Sequence, residues 1–287
     1  MAAFANSQHL IAFLRDAARL CAWLVLLAVI FLPLERLFAL HPKKFFRKAL
    51  WQDLGYFFIS GLIPGLLLAA PFSIIAIGGH ALVPHGVQET ISALPLWQRV
   101  LAGLVVGEIG FYWGHRWTHE IPFLWRFHSI HHSAEQVYFL TSARAHPIDS
   151  VFTRLCGLIP IYVLGIATPL TPAGGVLSAL LVMVITLWGF FIHANVRWRL
   201  GALEWLVATP AFHHWHHTLG AQRDCNYAPM LPWIDMIFGT YHLPRHEWPA
   251  AYGIDVKLPG SLAGQLLYPL RPVANEAPAS KAVVADR

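Results

Sequence analysis

Charge is scarce in this 287-residue chain: Asp, Glu, Lys and Arg make up 12% of it, against 56% hydrophobic residues. A soluble globule of that makeup has too little polar surface to face water, so the composition predicts a membrane protein. Cysteine is nearly absent. Cys21, Cys156 and Cys225 stand far apart with no C-x-x-C pair, which excludes a disulfide framework and a thiolate metal site. There is no linker rich in Gly/Ser or charge and no repeat of fixed period, so a single domain is expected. The formal charge of +5 does not gather into one basic stripe, which argues against nucleic acid and for anionic lipid as the partner. No basic residue precedes Arg15 and no small-residue cleavage site follows, so insertion is expected to rely on internal spans.

Long uncharged runs are what the chain does have. Leu20 to Leu34 gives 15 residues without charge, short for a bilayer core of about 30 Å. Leu54 to Gly79 gives 26, with Pro64 and Pro71 as expected kinks, and Val100 to Gly114 is apolar apart from Glu108. Leu155 to Ile192 gives 38, broken by Thr168-Pro169-Leu170-Thr171-Pro172 and Gly174-Gly175, which reads as two spans joined by a tight turn. Lys43, Lys44, Arg47 and Lys48 follow the first span, Arg116 and Arg126 the third, Arg197 and Arg199 the fifth. By the positive-inside rule these put the ends of the odd-numbered spans in the cytoplasm. The expected fold is therefore an all-α integral membrane protein of about five transmembrane helices with a cytoplasmic helical cap. Residues 1–95 form N-terminal spans, 96–245 the catalytic part including the two-span hairpin, and 246–287 a surface tail that is partly disordered.

Histidine carries the functional signal. Of 17 histidines, 11 lie between His115 and His217. His115 and His119 are spaced i, i+4; His128, His131 and His132 follow i, i+3, i+4; His213, His216 and His217 repeat that spacing. On a helix each set shares a face and can chelate an ion. Thr209-Pro210 supplies an N-cap and first turn for the third set, and His214 is turned about 100° away from His213. One such pair is weak, but three sum to eight imidazoles, enough for two divalent ions. Eight strongly hydrated rings beside apolar spans with nothing to bind would be costly.

The segment HRWTHEIPFLWRFHSIHHSAEQVYFLTSARAHPID (115–149) and the stretch from Phe191 to Tyr241, with His193-Ala194-Asn195, the third set, Asn226-Tyr227 and Trp233 to Tyr241, resemble the fatty acid hydroxylase / sterol desaturase superfamily of membrane histidine-box di-iron proteins. The resemblance covers somewhat under half of the chain. It implies metal ligation by His115, His119, His128, His131, His132, His213, His216 and His217, with His193 as a ninth ligand. It leaves His146 as either a ligand or a donor to one, with Asn195 beside His193 in the same class. Glu120 and Asp235 are candidates to orient ligand imidazoles through their second nitrogen, as outer carboxylates commonly do. Trp117, Trp125 and Trp215 flank the ligands as candidate walls against water.

Imidazole alone does not choose among zinc, copper, iron and nickel; the resemblance implies two iron ions and dioxygen as co-substrate. It further implies hydroxylation or desaturation of a lipid C–H bond. No G-x-G-x-x-G fingerprint, heme domain or thiolate cluster is present, so electrons are expected from a separate donor, a reductase with ferredoxin or cytochrome. Two other classes compete: a divalent-cation transporter, whose histidines would line a path through the membrane, and a zinc-dependent membrane hydrolase. The sets lie outside the apolar runs, and no H-E-x-x-H or nucleophile motif is found.

Overall fold

The computed structural model describes residues 2–42, 48–166 and 172–271, and among these it is helical with no strand, only the isolated bridges Ala39 to Val196 and Thr218 to Tyr252. Five long helices fall on the expected runs: α1 (Ala2–Leu37) and α2 (Lys48–Leu82), then, after the short α3 (His85–Ser92), α4 (Leu96–Glu120), and after α5 (Pro122–His132), α6 (Pro147–Val163) and α7 (Pro172–His193). Three short helices follow, α8 (Pro210–His216), α9 (Trp233–Phe238) and α10 (Leu262–Leu267).

Two stretches, Leu10–Leu37 and Ala49–Gly79, are long and apolar enough to cross a membrane, and a third is reached if α3 and α4, bent by 116°, count as one span. That count of two to three is of the described residues, where the end of α7 adds a shorter apolar helix, Met183–His193. α4 carries Arg99, Glu108 and two histidines, and α6 has 17 residues with Asp149 in its first turn. The turn Thr168 to Thr171 lies outside the described residues, as do Lys43, Lys44 and Arg47.

α4 and α6 meet along a seam of small residues. A Cβ on Gly110 would run into the Cys156 carbonyl oxygen, one on Gly114 would sit 2.6 Å from Cys156 Cβ, and one on Gly157 3.2 Å from the Gly107 carbonyl oxygen. Such close approach is how helices associate where lipid removes the hydrophobic drive between them. Elsewhere Leu20, Leu27 and Phe31 of α1, Phe57 of α2, Phe190 of α7 and Tyr138, Phe139 and Leu140 form a common core.

Carboxylates on the long helices hold the loops that follow the histidine sets. Glu35 of α1 accepts from the Phe139 and Asn195 amides (2.8 and 2.9 Å). Asp53 of α2 accepts from Arg144 Nε (2.7 Å) and the Tyr138 hydroxyl (2.5 Å). Glu108 of α4 accepts from the Met230 and Leu231 amides (3.0 and 3.2 Å). Each carboxylate is thereby given hydrogen-bond donors, as a polar group withdrawn from water must be.

Residues 247–271 are fastened to α2 and α5. Gln52 Nε2 donates to Gly260 O, the Tyr56 hydroxyl to Gln265 Oε1 (2.9 Å), and Arg126 to the Arg271 carbonyl, so α10 is tied to α2 and Arg271 to α5. Tyr252, Gln265 and Pro269 are buried there. Residues 272–287 lie outside the described residues.

Candidate metal centre

The three histidine sets sit at helix ends that local sequence fixes. Pro122 opens α5 after the extended Ile121. Thr209 caps α8, its hydroxyl accepting from Phe212 N (3.4 Å), with Pro210 in the first turn as the sequence predicts. These ends converge with the end of α7 into two groups. His115, His119, His128, His132 and His216 bring one nitrogen each to within 4.8 Å of one another, and His131, His193, His213 and His217 do the same. The groups share a wall, with the His132 and His217 rings stacked at 4.6 Å.

Helix geometry explains the partition. Successive residues turn by about 100°, so in an i, i+3, i+4 set the last two diverge while the first lies between them, nearer the i+4 member. His128 pairs with His132 in the first group and releases His131 to the second; His213 pairs with His217 in the second and releases His216 to the first.

The outer nitrogens are mostly committed. Nδ1 of His115 donates to Tyr227 O (2.7 Å), of His131 to Arg144 O (3.0 Å), of His193 to Gly189 O (2.6 Å) and of His216 to Cys225 O (2.7 Å). Nδ1 of His128 meets both oxygens of Asp149 at 3.1 Å, and Nδ1 of His119 meets Asp224 Oδ1 at 3.1 Å. Because a carbonyl or carboxylate oxygen accepts, each Nδ1 keeps the hydrogen and each Nε2 presents a lone pair inward. Those lone pairs face one another: Nε2 of His115 and His128 are 3.2 Å apart, and Nε2 of His193 lies 3.2, 3.0 and 3.1 Å from Nε2 of His131, His213 and His217. His119 Nε2, His216 Nε2 and both His132 nitrogens are buried with no protein partner. Opposed lone pairs repel unless a cation lies between them. Ligands about 2.1 Å from one ion at 90–109° sit roughly 3.0–3.4 Å apart, so the spacing fits shared coordination.

Burial favours the neutral form of the rings at His131, His132, His213, His216 and His217. It pushes His216 down to about 3, and it lowers His131, His132, His213 and His217 well below the ordinary histidine range, with the neighbouring imidazoles adding to the effect. A neutral ring is the form that binds metal.

The other candidates are placed differently. His146 caps α6, its Nδ1 accepting from Ile148 N (3.1 Å) and its Nε2 donating to Leu266 O (3.1 Å), so both nitrogens are engaged away from the clusters. Glu120 is a half-exposed partner of Arg116 at 2.7 Å, an i, i+4 surface pair that touches no cluster imidazole. Asp235 is buried but acts one layer out: it accepts from the Tyr227 and Ala228 amides (2.8 and 2.9 Å), holding the loop whose carbonyls meet His115 and His216. Asn195 exchanges hydrogen bonds with the His41 backbone, tying α7 to the segment after α1. His214 points away, to Tyr252 Oη (2.8 Å) and Ala194 O (3.2 Å), as its helical angle predicts. Of the tryptophans, Trp125 packs on His119 and His132 (5.1 and 5.5 Å) beneath Arg223, Trp117 is 40% exposed, and Trp215 meets His242 edge to face.

Asp149 and Asp224 are the carboxylates that the sequence reading missed. Asp149 stands at the end of the Arg-x-His-Pro-x-Asp stretch, 21 residues from His128; only the α6 N-terminus brings it there. Asp149→Asn keeps the shape but removes the charge that holds His128. Metal retention in chelator competition is expected to fall about 10–100-fold, with a small change in thermal stability. Unchanged retention would show that Asp149 serves only the start of α6.

A family model for fatty acid hydroxylases matches residues 100–240. Ornithine lipid hydroxylase OlsE of Rhizobium tropici is 35% identical over 176 residues, 61% of this chain and 51% of that protein. Human alkylglycerol monooxygenase is 33% identical over 150 residues, 51% of this chain and 31% of that protein. Methylsterol monooxygenase 2-2 of Arabidopsis thaliana is 31% identical over 162 residues, 51% of this chain and 55% of that protein. The chain thus spans about half or less of the length of these relatives, and no solved structure is significantly similar to it.

Proposed function

Because the chain belongs to the fatty acid hydroxylase / sterol desaturase superfamily, we propose that it is a membrane di-iron oxygenase that uses dioxygen and external electrons to hydroxylate a lipid C–H bond. The observation that carries this is the facing Nε2 lone pairs at 3.0–3.2 Å in two adjoining groups, an arrangement that two cations relieve. His115, His119, His128, His132 and His216 would hold one ion, and His131, His193, His213 and His217 the other. Two iron ions there would supply the dioxygen chemistry that no side chain performs unaided.

This chain's own residues do the rest. The carbonyls of Tyr227, Arg144, Gly189 and Cys225 orient the rings, and Asp149 and Asp224 add negative charge behind His128 and His119. Trp125 covers the five-histidine group and keeps bulk water from it. A substrate with a polar head and a long apolar tail suits a site that adjoins apolar helices, and the relatives named above carry lipid names of that class. Arg116, Arg126, Arg197 and Arg199 flank the same helix ends, which supports a multi-pass chain with the site at the cytoplasmic face. The electrons would come from a separate reductase with a ferredoxin or cytochrome.

A cation transporter fits less well. The nine rings form two compact groups instead of a line, and Glu108, in the apolar run of α4, already accepts from two amides. A hydrolase finds no H-E-x-x-H or nucleophile motif in the chain to support it. Cells with and without the protein are grown under ¹⁸O-labelled dioxygen and their lipids weighed. One labelled oxygen gained is expected; loss of two hydrogens would mark desaturation, and an unlabelled lipid pool would overturn the reading.

A further inference from the structure

Beyond the ligands, a file of aromatic rings leads from the five-histidine group toward the surface. The Tyr227 ring lies 5.1, 5.7 and 5.8 Å from the rings of His119, His115 and His216. Tyr112 follows at 5.9 Å, edge to face, then Trp113 at 5.6 Å and Trp117 at 6.0 Å. Tyr112 is fully buried, whereas Trp117 is 40% exposed. Neighbouring rings at these separations are in van der Waals contact.

Tyr112 also has an outlet for its proton. Thr240 Oγ1 donates to Asp235 Oδ1 (2.7 Å), so its lone pairs accept the Tyr112 hydroxyl at 2.9 Å. Arg116 Nη1 donates to the same phenol oxygen from the other side at 3.2 Å, which leaves the phenol hydrogen directed at Thr240. Asp235 is buried, and that burial pushes its carboxyl up to about 6, making it a better base than an exposed aspartate while still ionised at neutral pH. None of these three groups touches a cluster imidazole, and the Tyr112 to Thr240 contact is not needed to hold the loop behind His115 and His216.

We propose that Tyr112 is a redox-active tyrosine that gives one electron to the dioxygen-oxidised metal centre through the Tyr227 ring while its phenol proton passes by way of Thr240 to Asp235. The proposal rests on the oxygenase reading and adds a safeguard to it. Were dioxygen to oxidise the centre with no lipid C–H bond within reach, Tyr112 would supply the owed electrons one at a time in place of a ligand imidazole, its phenol proton resting on Asp235 meanwhile. The tyrosyl radical is then refilled by an electron from Trp113 and Trp117, which an external thiol or ascorbate-class reductant replaces at the exposed end. The proton returns from Asp235 to the phenolate, and the protein is restored.

The test uses the full chain loaded with iron, reduced with dithionite, freed of lipid substrate and mixed with dioxygen, with oxygen consumption followed on the same sample. Freeze-quenched samples are expected to show a tyrosyl radical by electron paramagnetic resonance, its line shape changed by ring-deuterated tyrosine. That signal is expected to be lost in Tyr112→Phe, which keeps the ring and removes the hydroxyl, and to weaken in Thr240→Val. Trp117→Phe, at an exposed site outside the metal centre, is expected to prolong it. Peptide mass mapping is expected to find oxidised Trp117 in the wild type and oxidised histidine ligands in Tyr112→Phe. Oxygen consumed with no tyrosyl signal, or a signal that persists in Tyr112→Phe or maps to Trp125, would overturn the proposal while leaving the oxygenase reading in place. A reduced, iron-loaded protein that consumes no oxygen would overturn both.

Discussion

Replacing His193 with alanine is expected to reduce bound iron from two ions per chain to one and to abolish oxygenation. His193 is the hub of the four-histidine group: its Nε2 lies within 3.0–3.2 Å of Nε2 of His131, His213 and His217, whereas His213 and His217 are 3.2 Å from each other. With it gone, three imidazoles from two helices remain, and the end of α7 no longer contributes. The five-histidine group contains no atom of His193 and keeps its own carboxylate support from Asp149 and Asp224. Removal of an outer partner typically costs about 10–100-fold in metal affinity or activity, so loss of a ligand should exceed that range. Elemental analysis gives the stoichiometry, and thermal unfolding checks that the fold survives. Two ions retained at unchanged affinity would mean that the second group is not a metal site.

Gly110→Ala should be as damaging from a position without any polar atom. The added methyl meets the carbonyl oxygen of Cys156, a backbone atom that moves only if α6 moves. Overpacking in a well-filled core costs about 1–3 kcal/mol when side chains can shift, and more is expected here because backbone must. The damage should reach the metal: α4 carries His115 and His119, α6 carries Asp149 behind His128, and the seam sets their distance. Gly86→Ala, where nothing lies within 4 Å of the new Cβ, is the matched control. The Gly110 variant is expected to lose folded yield and iron together, while Gly86→Ala keeps both; equal behaviour of the two would show that α4 and α6 are not tightly held.

The fold draws together the eight histidines that helical spacing singles out and His193, which only the family resemblance implied; for the eight the reason is local. An i, i+4 or i, i+3, i+4 pattern fixes which rings share a helix face before any tertiary contact exists, and Pro122, Thr209 and Pro210 mark where two of those helices begin. The exclusion of His214 follows from the same angle. Uncharged run length likewise located the long helices, since the rise per residue converts composition into reach.

What only the tertiary structure decided is how the rings divide, five and four, and what stands behind them. The partners of the outer nitrogens are chiefly backbone carbonyls, which every residue possesses and no motif can advertise: His115 finds Tyr227 O from 112 positions away and His131 finds Arg144 O across a turn. For the same reason the nearby carboxylate Glu120 turned out to be a surface partner of Arg116, while Asp149 and Asp224 came from α6 and the loop after α8. His146 was claimed by a helix cap and Asn195 by the His41 backbone. Periodicity is a property of one helix; support of a ligand is a property of the space between helices, set here by glycine-lined contact and by buried carboxylates that fasten each loop in place.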